Sequence, residues 1–268
     1  MNNISELRHK PHLSVSAIND YIDCGFLYKF GRIDNLKPDF EADSLIFGKT
    51  IHRVLAYFYQ EKRAGCIPDL DVLTDVFNQE WDYAVRDNNI KYKKGHDVNT
   101  LLNQGIDLLT AYYNDIPDNN FKVLAIEEAF SFNIDGLSIP IIGVIDLVEE
   151  DEAGTIIITD FKTSSKAYSI DDVDNNLQLT VYNMAARANG YAEREILLRF
   201  DVMIKTKQVK FEQYYTSRAI DDEKKVIRKV QQVWEGINKG IFIPNDTSWK
   251  CNGCSYKSHC EKWFDGGN

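Results

Sequence analysis

The sequence has no long hydrophobic run. No stretch approaches the roughly eighteen uninterrupted apolar residues of a membrane-spanning helix, and the opening MNNISELRHKPHLS lacks the apolar block of a secretory signal. Internal repeats, low-complexity tracts and linkers rich in proline and serine are absent too, so the 268 residues show no clean domain boundary. We therefore expect a cytoplasmic protein without membrane association, folded as a single domain over residues 1–268.

Basic residues are outnumbered by acidic ones. The chain has 31 lysines and arginines against 41 aspartates and glutamates, which gives a net charge of −10. This balance argues mildly against a protein that simply coats nucleic acid. It does not exclude a nuclease, because a nuclease concentrates carboxylates at its metal site and uses basic residues locally.

Cysteine is scarce but clustered. Three of the five cysteines, Cys251, Cys254 and Cys260, fall in the short segment CNGCSYKSHC near the C-terminus. Because thiols stay reduced inside the cell, this spacing indicates a metal site rather than disulfides. Structural metal sites usually have four ligands. A fourth ligand is therefore expected elsewhere in the chain.

The rest of the sequence is a succession of amphipathic helices and β-branched strands. One helix places Ile51, Val54, Leu55 and Phe58 on a single apolar face. Runs of isoleucine, valine and phenylalanine broken by short turns predict an antiparallel meander of three strands. In chain order we predict helices over 14–30, 44–63, 69–88 and 97–115, the meander over 121–134, 137–150 and 154–163, a helix over 173–190, strands over 194–204 and 208–216, and a helix over 218–239.

Charged side chains stand at the ends of two strands of the meander. The second strand contains GVID with Asp146, and the third ends in TDFK with Asp160 and Lys162. Antiparallel pairing can bring the two aspartates side by side, and Lys162 shares a strand face with Asp160. Carboxylate oxygens are ligands for Mg²⁺, and a neighbouring lysine can orient water or stabilise charge on phosphorus. A buried Asp–Lys ion pair beside a turn aspartate is the alternative.

Three further polar residues lie on predicted helices. Gln178 and Tyr182 are four residues apart and share a helix face, where both can grip a phosphate or the lysine. His52 lies one helical turn from both Gly48 and Ala56, so little side-chain bulk surrounds its imidazole. A neutral imidazole there can complete a metal site. An exposed helix face and a structural histidine remain the alternatives.

In this order the motifs GKTIH, GVID, TDFK and QLTVY resemble the RecB-type branch of the PD-(D/E)XK nuclease superfamily. The likeness is greatest to its cluster-bearing members, the CRISPR-adaptation exonucleases and the AddB nuclease domain. It extends from residue 12 to about 264, with residues 62–120 unmatched in detail. Many relatives carry glutamate where Asp160 stands, which changes the geometry of the site more than its function.

The resemblance implies an α/β fold of the restriction-endonuclease type, a mixed central sheet flanked by helices, with a helical N-terminal region. It implies that Lys162 positions or activates the hydrolytic water, and that Gln178 with Tyr182 steadies the scissile strand or the lysine. The ligands that it implies for Mg²⁺ or Mn²⁺ are His52, Asp146, Asp160 and the backbone carbonyl of Phe161.

The resemblance also implies the missing fourth thiol. Relatives end an N-terminal helix in Cys-Pro, and here Cys24 stands at that place with Gly25 in the position of the proline. A [4Fe–4S] cluster on the segment 241–268 would then be closed by Cys24. Four-cysteine zinc binding, with His259 as a substitute ligand, remains the alternative from spacing alone. Cys66 is left over.

The function that follows is a metal-dependent DNA nuclease, an exonuclease on single-stranded or end-processed DNA, with a helicase or other DNA-processing subunit as a possible partner. Residues 62–120 would form helices arching over the site. There Trp81, Tyr83 and Tyr92 either stack on bases or belong to the core. The basic groups near 91–94, 205–210 and 224–229 either contact DNA or are solvated surface. The other classes considered are a catalytically silent cluster-bearing DNA-binding subunit and a zinc adaptor.

Overall fold

The computed structural model describes residues 3–117 and 119–266. Residue 118 of the predicted insertion and residues 267 and 268 of the predicted C-terminal segment lie outside the described residues. The helices are α1 (Ile4–Arg8), α2 (Val15–Asp23), α3 (Gly25–Tyr28), α4 (Asp43–Arg63), α5 (Leu70–Asp87), α6 (Val98–Asp115), α7 (Ile170–Asp174), α8 (Leu177–Ala186), α9 (Ile220–Asn238) and α10 (Lys257–Phe264). The strands are β1 (Glu41–Ala42), β2 (Ile90–Lys91), β3 (Lys122–Phe132), β4 (Ile141–Glu150), β5 (Ile156–Ser164), β6 (Ile196–Ile204) and β7 (Lys210–Thr216).

A five-stranded sheet in the order β3-β4-β5-β6-β7 forms the centre of the fold. The first three strands are the antiparallel meander, β6 joins β5 in parallel through α7 and α8, and β7 returns antiparallel. Gly136 and Gly154 adopt positive φ in the two turns of the meander, a conformation that glycine adopts without a steric cost. The predicted mixed α/β fold with a helix-flanked central sheet is confirmed.

Helices cover both faces of the sheet and enclose two apolar cores. On one face α2, α8 and α9 pack against alternate residues of β5 and β6, among them Ile158 and Phe200. On the other face α4, α5 and α6 enclose a second core that includes Leu147 and Phe161. Because strand side chains alternate between faces, neighbouring residues of β5 belong to different cores.

The region 62–120 contributes apolar residues to the second core. Trp81 is 1% exposed, packs parallel to Phe77, and donates its indole N–H to the carbonyl of Val98 at 3.1 Å. Of the two alternatives for Trp81, base stacking and the core, its burial therefore supports the core. An amphipathic helix buries its aromatic face against the nearest apolar surface, and here that surface is α4 and α6. Tyr83 is exposed, and Tyr92 packs at the margin of this core.

Two predicted helices are interrupted. The helix predicted over 14–30 stops at Cys24, whose backbone is extended, and resumes as α3 followed by a π-helical turn, Lys29–Ile33. The residue after this break, Gly25, donates its amide N–H to Ile243 O at 2.9 Å. A Cβ at this position would collide with the backbone around Ile243, so the close contact requires glycine. The helix predicted over 173–190 is divided into α7 and α8, since Asn176 caps the start of α8 with its side chain.

The C-terminal segment returns to the N-terminal helices. A short 3₁₀ turn, Trp249–Gly253, precedes α10, and Trp263 of α10 packs edge-on against Phe26 with ring centroids 4.7 Å apart. Among the described residues, no helix combines the length and the hydropathy needed to cross a bilayer.

Candidate active site

The two predicted aspartates lie where β4 and β5 diverge. Pairing of these strands runs from Glu150 opposite Ile156 to Leu147 opposite Thr159, and Asp146 and Asp160 would form the next pair. At that point the Phe161 amide donates to Oδ2 of Asp146 at 2.9 Å, while β5 continues beside β6. The carboxylate of Asp146 thus accepts the N–H that a continuing strand would have bonded.

Asp160 is buried, and both of its carboxylate oxygens have partners. Its Oδ1 accepts a hydrogen bond from Gln178 Nε2 at 2.6 Å and lies 3.1 Å from the Tyr182 hydroxyl. Its Oδ2 forms a close ion pair with the ammonium of Lys162. Burial raises the pKa of Asp160; the Lys162 charge opposes this in part, and the Asp146 charge adds to it.

Lys162 is held as an ammonium between two oxygens. Besides its ion pair with Asp160, its Nζ donates to Gln178 Oε1 at 2.8 Å and lies 5.4 Å from the centroid of the Phe200 ring. Burial acts to lower the pKa of Lys162, but the charge and hydrogen bond of Asp160 outweigh it, and the pKa is raised. An ammonium has no lone pair, so in this state Lys162 donates and cannot accept a proton.

Gln178 and Tyr182 share a face of α8 and meet in a hydrogen bond of 2.8 Å. Gln178 uses its amide N–H groups for Asp160 and Tyr182 and its carbonyl for Lys162, so one side chain fixes all three partners. The Tyr182 hydroxyl also lies 2.8 Å from the carbonyl of Val144. Burial, reinforced by the Asp160 and Asp146 charges, raises the pKa of Tyr182 well above its usual value, so it stays a neutral phenol.

His52 approaches the same site from the opposite face of the sheet. It projects from α4, and its Nδ1 lies 3.3 Å from Oδ2 of Asp146. Burial acts to lower the pKa of His52, but the hydrogen bond and charge of Asp146 outweigh it and raise the pKa. The predicted side chains therefore lie in one connected cluster, which consists of His52, Asp146, Asp160, Lys162, Gln178 and Tyr182.

A further carboxylate, missed from the sequence, stands next to this cluster. On β3 the pairs Ile126–Leu147 and Glu128–Ile145 place Glu127 opposite Asp146. Glu127 adopts a φ of 51°, a strained backbone for a residue with a side chain. Desolvation and, after it, the charge of Asp146 raise the pKa of Glu127. The signal in the sequence was the pair of adjacent glutamates in an otherwise apolar strand.

The chain matches the sequence model of the PD-(D/E)XK nuclease superfamily over residues 12–261. The chain belongs to this superfamily. The matched range includes Asp146, Asp160 and Lys162, the residues predicted to form the D…(D/E)xK signature. The predicted superfamily is thereby confirmed.

Two proteins that are similar to this chain are informative. One subunit of an ATP-dependent helicase/deoxyribonuclease from Streptococcus uberis is 28% identical over 182 residues, which cover 65% of this chain and 16% of that protein. The solved structure of a candidate exonuclease from Eubacterium rectale superposes with a TM-score of 0.57 and 10% identity, covering 90% of this chain and 87% of that one. The latter likeness shows the fold alone.

In residues 3–117 and 119–266, no three or more histidine, cysteine, aspartate or glutamate side chains are grouped so that they could hold a metal ion as they stand. His52 instead pairs with Asp146, and Asp160 with Lys162. Oδ1 of Asp146 accepts no hydrogen bond from the described residues, whereas Oδ2 of Asp160 contacts the Lys162 ammonium. Two carboxylates and an imidazole are a donor set that fits a hard divalent cation.

The four predicted cluster cysteines line one cavity of about 260 Å³. Asn245 connects two of them, since its N–H donates to Cys24 Sγ at 3.3 Å and its carbonyl accepts from the Cys251 thiol at 3.2 Å. Burial raises the pKa of Cys254 and of Cys260, and the neighbouring thiols add to this. Cys66 is exposed and does not line this cavity.

Proposed function

We propose that this chain is a metal-dependent DNA nuclease, an exonuclease that cleaves phosphodiester bonds in single-stranded or end-processed DNA. The observation that carries the proposal is the hydrogen-bonded set of Asp160, Lys162 and Gln178 at the point where β4 and β5 diverge. A plain buried ion pair would not need Gln178 and Tyr182 to orient it, nor a second aspartate beside it.

The donor set supports Mg²⁺ or Mn²⁺ as the ion. His52, Asp146 and Asp160 would hold it together with the Phe161 carbonyl; Oδ1 of Asp146, which accepts no hydrogen bond from the described residues, supports that use. Such an ion polarises a phosphodiester and lowers the pKa of a bound water. His52 must be neutral to act as a ligand, and its hydrogen bond to Asp146 fixes which ring nitrogen carries the proton.

The protein's own residues then position the reactants. Lys162, kept protonated by its carboxylate neighbour, can hold the attacking oxygen or stabilise the negative charge that develops on the phosphate. Gln178 keeps Lys162 and Asp160 in fixed relative positions, and Tyr182 anchors Gln178 to the backbone of β4. The geometry therefore favours water positioning by Lys162 over proton abstraction by it.

End-labelled single- and double-stranded DNA, incubated with Mg²⁺, Mn²⁺ or EDTA, tests this function. Wild type should degrade DNA with a divalent ion and not with EDTA. Lys162→Ala should lower the rate by about a hundredfold or more, as loss of one preorganised donor does. Lys166→Ala, an exposed lysine shortly after β5, is the matched control and should retain the rate. Comparable activity of Lys162→Ala and wild type would reduce Asp160–Lys162 to a structural ion pair.

We further propose that Cys24, Cys251, Cys254 and Cys260 bind a [4Fe–4S] cluster. All four thiols line one cavity of about 260 Å³, and Phe26, Leu27 and Phe30 in its wall would exclude water from a bound cluster. Such a group would join the N-terminal helices to the C-terminal segment and stabilise the fold.

Iron and zinc analysis of anaerobically purified protein tests the cluster. We expect a brown protein with about four irons per chain. Cys24→Ala should lose the metal as completely as Cys254→Ala, whereas Cys66→Ala, the matched control, should keep it. Colourless protein with one equivalent of zinc would support the four-cysteine zinc site, and neither metal would contradict both.

The surroundings of the site support two further parts of the proposal. The region 62–120 would form the helical cover of the substrate path, with exposed Tyr83 as its available aromatic residue. The likeness to part of a helicase/deoxyribonuclease protein supports a helicase or another DNA-processing subunit as a partner. Copurification of a helicase or another DNA-processing subunit with this protein would test the proposed partnership.

A further inference from the structure

A groove of about 480 Å³ lies directly beside the catalytic cluster. Its floor includes Val144, two residues before Asp146, and the side chains of Gln178 and Tyr182. One wall of the groove is formed by α1 and by the N-terminal end of α2, where Ser14 and Ser16 lie. A molecule in the groove would therefore touch the residues that orient Lys162 and Asp160.

The charge of this groove is opposite to that of the molecule. Arg8, His12 and Arg32 line it, and none of the described aspartates and glutamates does, although the chain carries a net charge of −10. The cavity of about 550 Å³ on the other side of Phe130 is lined by Glu127, Glu128 and one arginine. Between these two openings beside the site, only the first offers a favourable potential to a polyanion.

The basic side chains of the groove keep donors available. Arg32 is oriented by Ser16 Oγ at 3.2 Å and Asp20 Oδ2 at 3.3 Å, which both accept from Nη2 and leave the other guanidinium N–H groups free. His12 bonds the Lys10 carbonyl through Nδ1 at 2.7 Å, so Nε2 is not used in that contact. Arg8 forms no ion pair with any described residue.

We propose that this groove binds a backbone phosphate of the substrate strand next to the scissile phosphate, with Arg8 and Arg32 as its principal ligands and His12 at its edge. The inference rests on the proposed nuclease function and adds a substrate subsite to it. The groove has the size for one nucleotide unit, and its shared wall with Gln178 and Tyr182 places that unit adjacent to the reacting one. Phosphate contacts of this kind position a strand without reading its sequence.

Binding and cleavage are tested separately, so that the two proposals fail separately. Binding of a fluorescent single-stranded oligonucleotide is measured by anisotropy over a range of salt, in a Lys162→Ala background without divalent ions. Arg8→Ala and Arg32→Ala should each weaken binding about threefold to tenfold, and the double variant should reduce the salt slope by about 0.7, the value for one phosphate on a single strand. Arg86→Ala is the matched control, because Arg86 is exposed on α5 across the sheet and pairs with Asp82 at 2.5 Å.

A scan with methylphosphonate linkages, which remove the charge of one phosphate at a time, locates the contact. One position should weaken binding to the parent protein about threefold to tenfold, have a smaller effect on Arg8→Ala, and have little additional effect on the Arg8→Ala/Arg32→Ala double variant, which already lacks both contacts to that phosphate. In the otherwise wild-type enzyme, Arg8→Ala should raise KM more than it lowers kcat. Arg32→Lys, which keeps the charge, should recover part of the affinity.

The outcomes distinguish the two proposals. Equal binding by Arg8→Ala, Arg32→Ala and Arg86→Ala, or purely additive methylphosphonate effects, would overturn the subsite even if the enzyme cleaves DNA. Wild type that binds DNA through the groove but never cleaves it would overturn the nuclease function and keep the subsite. Circular dichroism and melting temperatures check that each variant is folded. Because Arg8 is exposed on α1, Arg8→Ala should disturb the fold least.

Discussion

At the scale of single residues, the second core holds a charged group that the catalytic site does not use. Arg199 donates to Glu149 Oε2 at 2.8 Å and its Nε lies 2.9 Å from Asp201 Oδ1, and all three side chains are about 1% exposed or less. Gln213 adds a hydrogen bond to Asp201 at 3.0 Å. One arginine thus faces two carboxylates in a dry environment, with the Lys62 ammonium 3.8 Å from Glu149 Oε1 at its margin, and an extra negative charge there is costly.

This cluster predicts a defined pH dependence of stability. Burial raises the pKa of Asp201 from 3.8 to about 6, against the opposing charge of Arg199. The folded state therefore binds a proton that the unfolded state releases, and the contribution of Asp201 to stability falls as pH rises from about 4 to about 6. Asp201→Asn does not titrate. Relative to wild type, its unfolding free energy should improve by about 2 kcal/mol between about pH 4.5 and about pH 7.

Urea unfolding of both proteins across this pH range measures the difference. Exposed Asp82→Asn on α5 is the matched control. A difference between Asp201→Asn and wild type that is constant over the whole range would contradict the shifted pKa of Asp201.

At the scale of elements, packing against neighbours decides how a helix tolerates the same substitution. Gly48 lies inside α4, and a Cβ there would meet only Thr163 Oγ1 at an ordinary 3.8 Å. Gly105 lies inside α6, where a Cβ would overlap the ring of Phe77 on α5. The close contact between α5 and α6 therefore depends on one missing methyl group.

These two glycines predict opposite effects of substitution by alanine. Gly48→Ala should stabilise the protein by about 0.5–1 kcal/mol, because alanine loses less backbone entropy in a helix. Gly105→Ala should destabilise it by about 1–3 kcal/mol through overpacking. Chemical denaturation of both variants measures the pair, and equal shifts of the same sign would contradict the packing of α6 on Phe77.

At the scale of the whole molecule, the site joins the two cores. His52 comes from α4 in the second core, Gln178 and Tyr182 come from α8 on the first, and both meet the divergent ends of β4 and β5. A ligand shared by these elements would couple the two halves. Because such a ligand binds only the folded state, it should stabilise the whole domain.

We therefore predict that Mg²⁺ or Mn²⁺ raises the melting temperature of wild type, by the equivalent of about 2.7 kcal/mol when the free ion is at a hundred times its Kd. Asp146→Asn should lose this shift and all cleavage. Its ion-free form should stay within about 1 kcal/mol of wild type, because the asparagine carbonyl can still accept the Phe161 N–H.

Differential scanning fluorimetry with and without EDTA measures these shifts, with Asp135→Asn in the exposed turn of the meander as the matched control. An ion-induced shift that survives in Asp146→Asn would show that the ion binds elsewhere. A loss of several kcal/mol in the ion-free variant would make Asp146 a structural partner.

The sequence by itself determined the elements and their local faces. Alternation in the meander and helical spacing of apolar residues are short-range signals, and they placed Asp160 and Lys162 on one strand face and Gln178 and Tyr182 on one helix face. The structure has them in those positions. Family membership was likewise predictable, since its motifs are short runs in a fixed order.

Only the tertiary structure decided how these faces meet. The break at Cys24, the strained backbone of Glu127 opposite Asp146 and the burial of Trp81 all depend on contacts far away in the chain. The same holds for the basic groove and for the Arg199 cluster, whose members are scattered through the sequence. Local periodicity carries no information about such contacts, because they arise only when separate elements pack and lose their water.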